Sequence, residues 1–169
     1  FNKKIHRPIS TNGTPTGTSA FSTLNQTFSS TTKTIDHMKP ALHLNKIHHI
    51  SIICSDYNKS KEFYTELLGL KILQEIYRSE RDSYKLDLGL HGQYVLELFS
   101  FPSPPPRPTQ PEACGLRHLA FEVDDIEGTQ AYLKTHGYQP EAIRKDEHTH
   151  KRFMFMNDPD GLPIEFYER

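Results

Sequence analysis

The chain repeats itself at an offset of about 69 residues: His49 returns as His118, Asp56 as Asp125, Gly69 as Gly137 and Glu97 as Glu165. One supersecondary unit therefore occurs twice, and the residues between these markers say which. "KIHHISIICSD" (46–56) is β-branched and reads as a strand. "YNKSKEFYTELLGL" follows with Phe63, Leu67 and Leu68 at helical spacing and Gly69 as a C-terminal stop. Three strand-like runs come next, "KILQEIYR", "SYKLDLGL" and "QYVLELFSF", the last two joined by the turn-prone pair His91 and Gly92. In the second copy "LRHLAFEV" reads as a strand. Asp124 or Asp125 caps "IEGTQAYLKTH", and Gly137 ends that helix. "YQPEAIRK", "HKRFMFMN" and "PIEFYE" read as strands, the last two joined by "DPDG" at 158–161. The fold class predicted is α+β: two βαβββ modules forming a curved sheet around a shared site.

Module 1 spans 46–101 and module 2 spans 115–169. The linker 102–114, "PSPPPRPTQPEAC", is too rich in proline for helix or central strand and is expected to run extended. Its stiffness is expected to hold the two modules of one chain apart. Residues 1–45 are of another character. From 10 to 34 they are dominated by Ser and Thr with no apolar period, so they cannot bury enough surface to offset their ordering entropy. A disordered leader or non-native tail is expected there, with Met38 as the natural start. The remnant of an organelle transit peptide is the other explanation.

Acidic and basic residues nearly cancel, leaving a formal charge of -1, which gives a polyanion nothing to bind. No nucleic acid partner is expected. No apolar stretch is long enough to span a membrane, so no membrane partner is expected either. The two cysteines, Cys54 and Cys114, are too few for a disulfide framework and suit a reducing compartment in structural roles.

Alternation along the strands gives the repeat a chemical meaning, because residues two apart share a face. Ile50 and Ile52 point to the helix and leave His49 opposite, as Leu119, Phe121 and Val123 leave His118. Leu96 and Leu98 leave Glu97 on that same opposite side, and Ile164 and Phe166 leave Glu165. Two imidazoles and two carboxylates thus share the inner face of a paired sheet. A buried carboxylate is costly unless paired or bound to a cation, so the four point to a divalent metal. The neighbouring His48 falls on the helix side and has Arg117, not a histidine, at its place in the second copy, so His49 is the expected ligand.

At these residues the sequence resembles the vicinal oxygen chelate superfamily of glyoxalase I, bleomycin-resistance proteins, fosfomycin-modifying enzymes, extradiol dioxygenases and methylmalonyl-CoA epimerase. The likeness runs from Lys46 to Glu168 through "HHISIICSDYNKSKEFYTELLGLKI", "YVLELFSFP", "GLRHLAFEVDDI" and "NDPDGLPIEFYE", and is greatest to the small bacterial YaeR-type glyoxalase-related proteins. The resemblance implies metal ligands His49, Glu97, His118 and Glu165, holding Ni, Co, Zn, Fe or Mn. All four places are filled, as in glyoxalase I. It therefore implies a metal-dependent lyase of that type (lactoylglutathione lyase), isomerising a 2-oxoaldehyde–thiol hemithioacetal or related vicinal-oxygen substrate through a metal-stabilised enediolate. Glu165 is the implied base, and Glu97 a ligand and second base. Such an enzyme would serve methylglyoxal detoxification in the cytoplasm, with a small-molecule substrate and a homodimer sharing modules between subunits. The alternatives are a small-molecule binding or resistance protein and an Fe-dependent extradiol-type dioxygenase. Glutathione-dependent members carry Arg and Asn where this chain has Ile53 and Phe101, so the thiol cosubstrate stays open. Arg81, Lys85, Lys151 and Arg152 are candidate substitute anchors.

Overall fold

The Asp56 carboxylate accepts a hydrogen bond from the Lys59 backbone N–H at 3.1 Å, converting the end of one strand into the start of a helix. Asp125 repeats the device on the Gly128 N–H at 2.9 Å. These caps anchor the two modules of the computed structural model, which describes residues 42–169. The expected leader lies outside the described residues except for its last four.

Module 1 runs β1 (Ile50–Cys54), α1 (Tyr57–Glu62) with a π-helical turn at Phe63–Leu67, β2 (Lys71–Arg78), a 3-10 turn at Ser79–Arg81, β3 (Ser83–Leu90) and β4 (Gln93–Ser100). Module 2 runs β5 (Leu119–Val123), α2 (Ile126–Thr135), β6 (Arg144–Lys145), β7 (Arg152–Asn157) and β8 (Pro163–Glu168). Each module forms one four-stranded sheet, ordered β1-β4-β3-β2 and β5-β8-β7-β6. The first strand lies parallel to the last and the other pairs are antiparallel. The predicted α+β pair of βαβββ modules is the observed architecture. His91 and Gly92 both take positive φ in the β3–β4 turn, at 50° and 77°.

The register puts Ile50 beside Leu96 and Ile52 beside Leu98, with Leu86 and Leu88 next in line, on the face that α1 covers. In module 2 the matching row is Leu119, Ile164 and Met156, then Phe121, Phe166 and Met154. The π-helical turn carries two adjacent aromatics, Phe63 and Tyr64, both fully buried. Burying each is worth a few kcal/mol.

Three expectations are corrected. "YQPEAIRK" forms a strand only at Arg144–Lys145. Pro140 has no N–H to offer a ladder, and Glu141 makes a single bond to the Phe155 carbonyl at 2.8 Å. The linker does not hold the modules apart: they share one apolar core. The Tyr64 hydroxyl crosses to Asp158 at 2.9 Å, and the Phe63 ring meets Tyr138 edge-on at 5.7 Å. The gain from burying these aromatics outweighs the stiffness of the linker, which has enough reach to bridge them. His48, finally, does not face the helix. The strand begins only at Ile50, so alternation stops short of it, and His48 lies exposed beside His49.

Among the described residues no helix is long and apolar enough to cross a membrane. Both cysteines are free, Cys54 buried and Cys114 exposed. Burial pushes the Cys54 thiol up to about 11, which leaves it unreactive and in keeping with a structural role.

Candidate metal centre

His49 stands just before β1 and Glu97 lies in the middle of β4, so the parallel β1–β4 ladder brings together residues distant in sequence. His49 Nε2 is 3.0 Å from Glu97 Oε2. The β5–β8 ladder does the same for the second copy, with His118 Nε2 3.2 Å from Glu165 Oε2. The four predicted residues thus fall into two His–Glu pairs, one per module. The two pairs do not converge within the chain: among the described residues no group of three or more His, Cys, Asp or Glu is placed to hold an ion.

The pairs sit on matching scaffolds in unlike surroundings. Ser51 lies across the ladder from Glu97 on one side and Asp87 on the other. Ala120 and Phe155 hold those places around Glu165. The Ser51 hydroxyl donates to Glu97 Oε2 at 2.5 Å, and Lys85 Nζ reaches Glu97 Oε1 at 2.8 Å and Asp87 at 2.5 Å. Tyr94 stacks on the His49 ring at 5.0 Å and donates its hydroxyl to Asp87 at 3.0 Å. Burial by itself raises the Glu97 carboxyl, but hydrogen bonds from Lys85, Ser51 and Tyr94 outweigh it and hold the group down at about 2. It is an anion at every physiological pH.

Of the four cationic anchors read from the sequence, only Lys85 stands at a His–Glu pair. Arg152 is committed to Glu168 and Glu127. Glu168 is three residues beyond Glu165, which alternation puts on the other face of β8. Arg81 lies on the turn between β2 and β3, and Lys151 just before β7. Sequence reasoning missed Ser51, Asp87 and Tyr94 around Glu97. The alternation that selected His49 and Glu97 also puts Ser51 and Asp87 on their face, so the signal was present. It missed as well the neighbours of the imidazoles, where His48 Nδ1 lies 2.8 Å from His49 Nδ1 and Arg117 3.3 Å from His118 Nδ1. In both rings Nε2 is the nitrogen turned to the carboxylate. A further cavity of about 530 Å³ opens between β1 and the proline-rich segment, with Ser51 and Ile53 on one wall and Leu116 on another.

The donor set fits a divalent transition metal: two imidazole nitrogens and two carboxylates that are nearly buried, each carboxylate already facing an imidazole. His49, Glu97, His118 and Glu165 are the residues that would hold it.

The family model described as the glyoxalase/bleomycin resistance protein/dioxygenase superfamily matches residues 46–166. The YaeR protein of Escherichia coli (strain K12) is 59% identical over 128 residues, which cover 76% of this chain and 99% of that one. A probable lactoylglutathione lyase of Vibrio cholerae is 31% identical over 134 residues, covering 73% of this chain and 91% of that one. Among solved structures, a glyoxalase family protein from Enterococcus faecalis superposes with a TM-score of 0.68 at 47% identity, covering 73% of this chain and 97% of that one. The chain belongs to the glyoxalase/bleomycin resistance protein/dioxygenase superfamily.

Proposed function

We propose that the protein is a metal-dependent lyase of the glyoxalase I type, which isomerises a hemithioacetal of a 2-oxoaldehyde, or a related substrate with two neighbouring oxygens, by moving one proton. The observation that carries the reading is the pairing of an imidazole with a carboxylate at the same place in both modules. The likeness to the Vibrio cholerae protein supports it. A bound divalent cation would polarise the substrate carbonyl and make the adjacent C–H acidic.

The chain's own residues divide the remaining work. Glu165, with Ala120 and Phe155 across its ladders and His118 as the one polar partner of its carboxylate among the described residues, is free to take the proton from one carbon and return it to the next. Glu97, tied by Ser51, His49 and Lys85, serves as a fixed anion. At the positions where the glutathione-dependent relatives carry a cation and an amide, Ile53 is exposed and aliphatic, and Phe101 stacks against Phe99 at 6.0 Å. These surfaces favour a thiol less charged than glutathione.

Two pairs that do not meet within one chain need a second copy to complete four ligands. We infer a homodimer in which His49 and Glu97 of one subunit face His118 and Glu165 of the other. The exposed apolar surface of Ile53, Ile72, Leu73 and Leu116 supports an interface. The test is metal analysis by mass spectrometry, then assay of methylglyoxal hemithioacetals made with several thiols. About one metal per chain and turnover of at least one adduct are expected. Full metal occupancy in His118→Ala would sink the assignment. Mixing His49→Ala with His118→Ala chains should restore partial metal binding, because one site of each heterodimer then keeps both histidines. Subunits that exchange without restoring any site would place each centre within one chain.

A further inference from the structure

Beside the second His–Glu pair lies a cavity of about 340 Å³ that the proton transfer does not use, bounded by the proline-rich segment, β6 and β7. Three arginines line it: Arg107, Arg117 and Arg144. Arg107 is pinned by bonds from its guanidinium to the carbonyls of Leu116 and Arg117, while its buried Nε has no partner among the described residues. Arg117 Nε meets Glu112 at 2.8 Å, and Arg144 meets Glu141 at 2.8 Å. The Arg144 guanidinium lies over two rings of β7, 4.9 Å from the centre of Phe153 and 5.5 Å from that of Phe155.

Three cations against two carboxylates leave the cavity with a surplus positive charge. Each of those two ion pairs is a one-point, solvent-exposed contact, weak and screened. A guanidinium offers five N–H donors, so Arg117 and Arg144 keep most of theirs for another acceptor. Two such forks on a small, half-enclosed cavity match the planar or tetrahedral oxygens of an oxyacid better than any neutral group.

We propose that this cavity binds the anionic oxyacid group, carboxylate or phosphate, of a small substrate whose other end reaches His118 and Glu165. The inference rests on the isomerase reading for its second half alone. Two residues join the cavity to that pair. Phe155 forms its wall, meets the His118 ring edge-on at 5.4 Å and lies across the ladder from Glu165. Arg117 lines the cavity and touches His118 Nδ1 at 3.3 Å.

The experiment titrates inorganic phosphate, and separately malonate, into the full chain by calorimetry at fixed ionic strength. Wild type should bind at least one of them saturably, and which one binds tells phosphate from carboxylate. Arg117→Gln/Arg144→Gln should bind at least ten-fold more weakly with an unchanged unfolding temperature. Arg144→Lys, which keeps the charge and loses the fork, should bind about three-fold more weakly, so a folding defect in the double variant does not remove the test. His118→Ala should bind the anion within two-fold of wild type while losing its metal. Binding of neither anion, or equal binding by the arginine variants, overturns the proposal. Metal retained in His118→Ala alongside lost anion binding in the arginine variants overturns the isomerase reading and leaves the cavity standing.

Discussion

Phe155 lies directly across the β7–β8 ladder from Glu165, at the place where Asp87 lies across the β3–β4 ladder from Glu97. One backbone pattern therefore presents two glutamates in opposite settings, one beside a ring and one inside a polar cradle. The two should fail differently. Glu165→Gln should cut turnover by at least about 100-fold, the scale of a lost general base, while retaining much of the metal. Glu97→Gln should lose metal first. Steady-state kinetics paired with metal content separates the two, and identical behaviour of both variants would remove the assigned division of labour.

Lys85 bridges Asp87 and Glu97 and offsets their mutual repulsion, with contacts of 2.5 and 2.8 Å to two carboxylates that are nearly buried. Lys85→Met leaves both anions facing each other without a counter-charge. A loss of about 2 to 3 kcal/mol is expected in urea unfolding, since removing one partner strands the others. Adding Asp87→Asn to that variant should restore part of it. A stability equal to wild type would show that solvent already neutralises the pair.

The acid limb of stability carries the signature of Glu97. Its folded value of about 2 lies below the ordinary 4.5, so folding favours the anion. That stabilisation is complete above about pH 5 and drains away as pH falls through 4.5 toward 2, to a total of at most about 3 kcal/mol. In metal-free protein, Glu97→Gln should flatten this limb of the pH–stability curve. An equally steep curve in the variant assigns the limb to other carboxylates.

Tyr64 is fully buried, and its hydroxyl reaches Asp158, whose other oxygen accepts from the backbone N–H groups of Asp160 and Leu162 at 2.9 and 2.8 Å. Tyr64→Phe keeps the ring and deprives a buried carboxylate of one donor, which should cost about 1 to 2 kcal/mol. Phe63→Ala should cost more, about 3 to 5 kcal/mol, because it opens a cavity where the modules meet. Denaturant midpoints measure both, and the reverse order would mean that the polar bridge rather than the ring holds the modules together.

The repeat makes the His–Glu pairs legible in the sequence alone, because a period of two sorts Leu96, Glu97 and Leu98 without ambiguity. The same rule carries no information about the cavity arginines. Arg107 stands in a proline-rich segment with neither helical nor strand period, and Arg117 precedes the strand that would assign it a face. Arg144 opens a strand of two residues in a run whose proline breaks the ladder. His48 departs from its expected face for a related reason, since it lies two residues before the first ladder pair at Ile50, where alternation no longer holds. The contact between modules was illegible too. It depends on where Tyr64 and Asp158 arrive in space, which stiffness of the linker alone does not predict.

Each His–Glu pair joins the first strand of its module to the last, and the span between Ser51 and Glu97 in the first is 46 residues. The antiparallel ribbon β2-β3-β4 can assemble from near neighbours, whereas β1 must return across that whole length to dock in parallel. Local hairpins close early and non-local parallel pairs late. An intermediate holding only the ribbon owns Glu97 without His49 and has half of a chelate. Metal affinity during refolding therefore cannot appear before β1 has docked and two subunits have met, and stopped-flow traces with a chromogenic chelator at two protein concentrations would separate the closing of the chain, which ignores concentration, from the pairing of subunits, which does not.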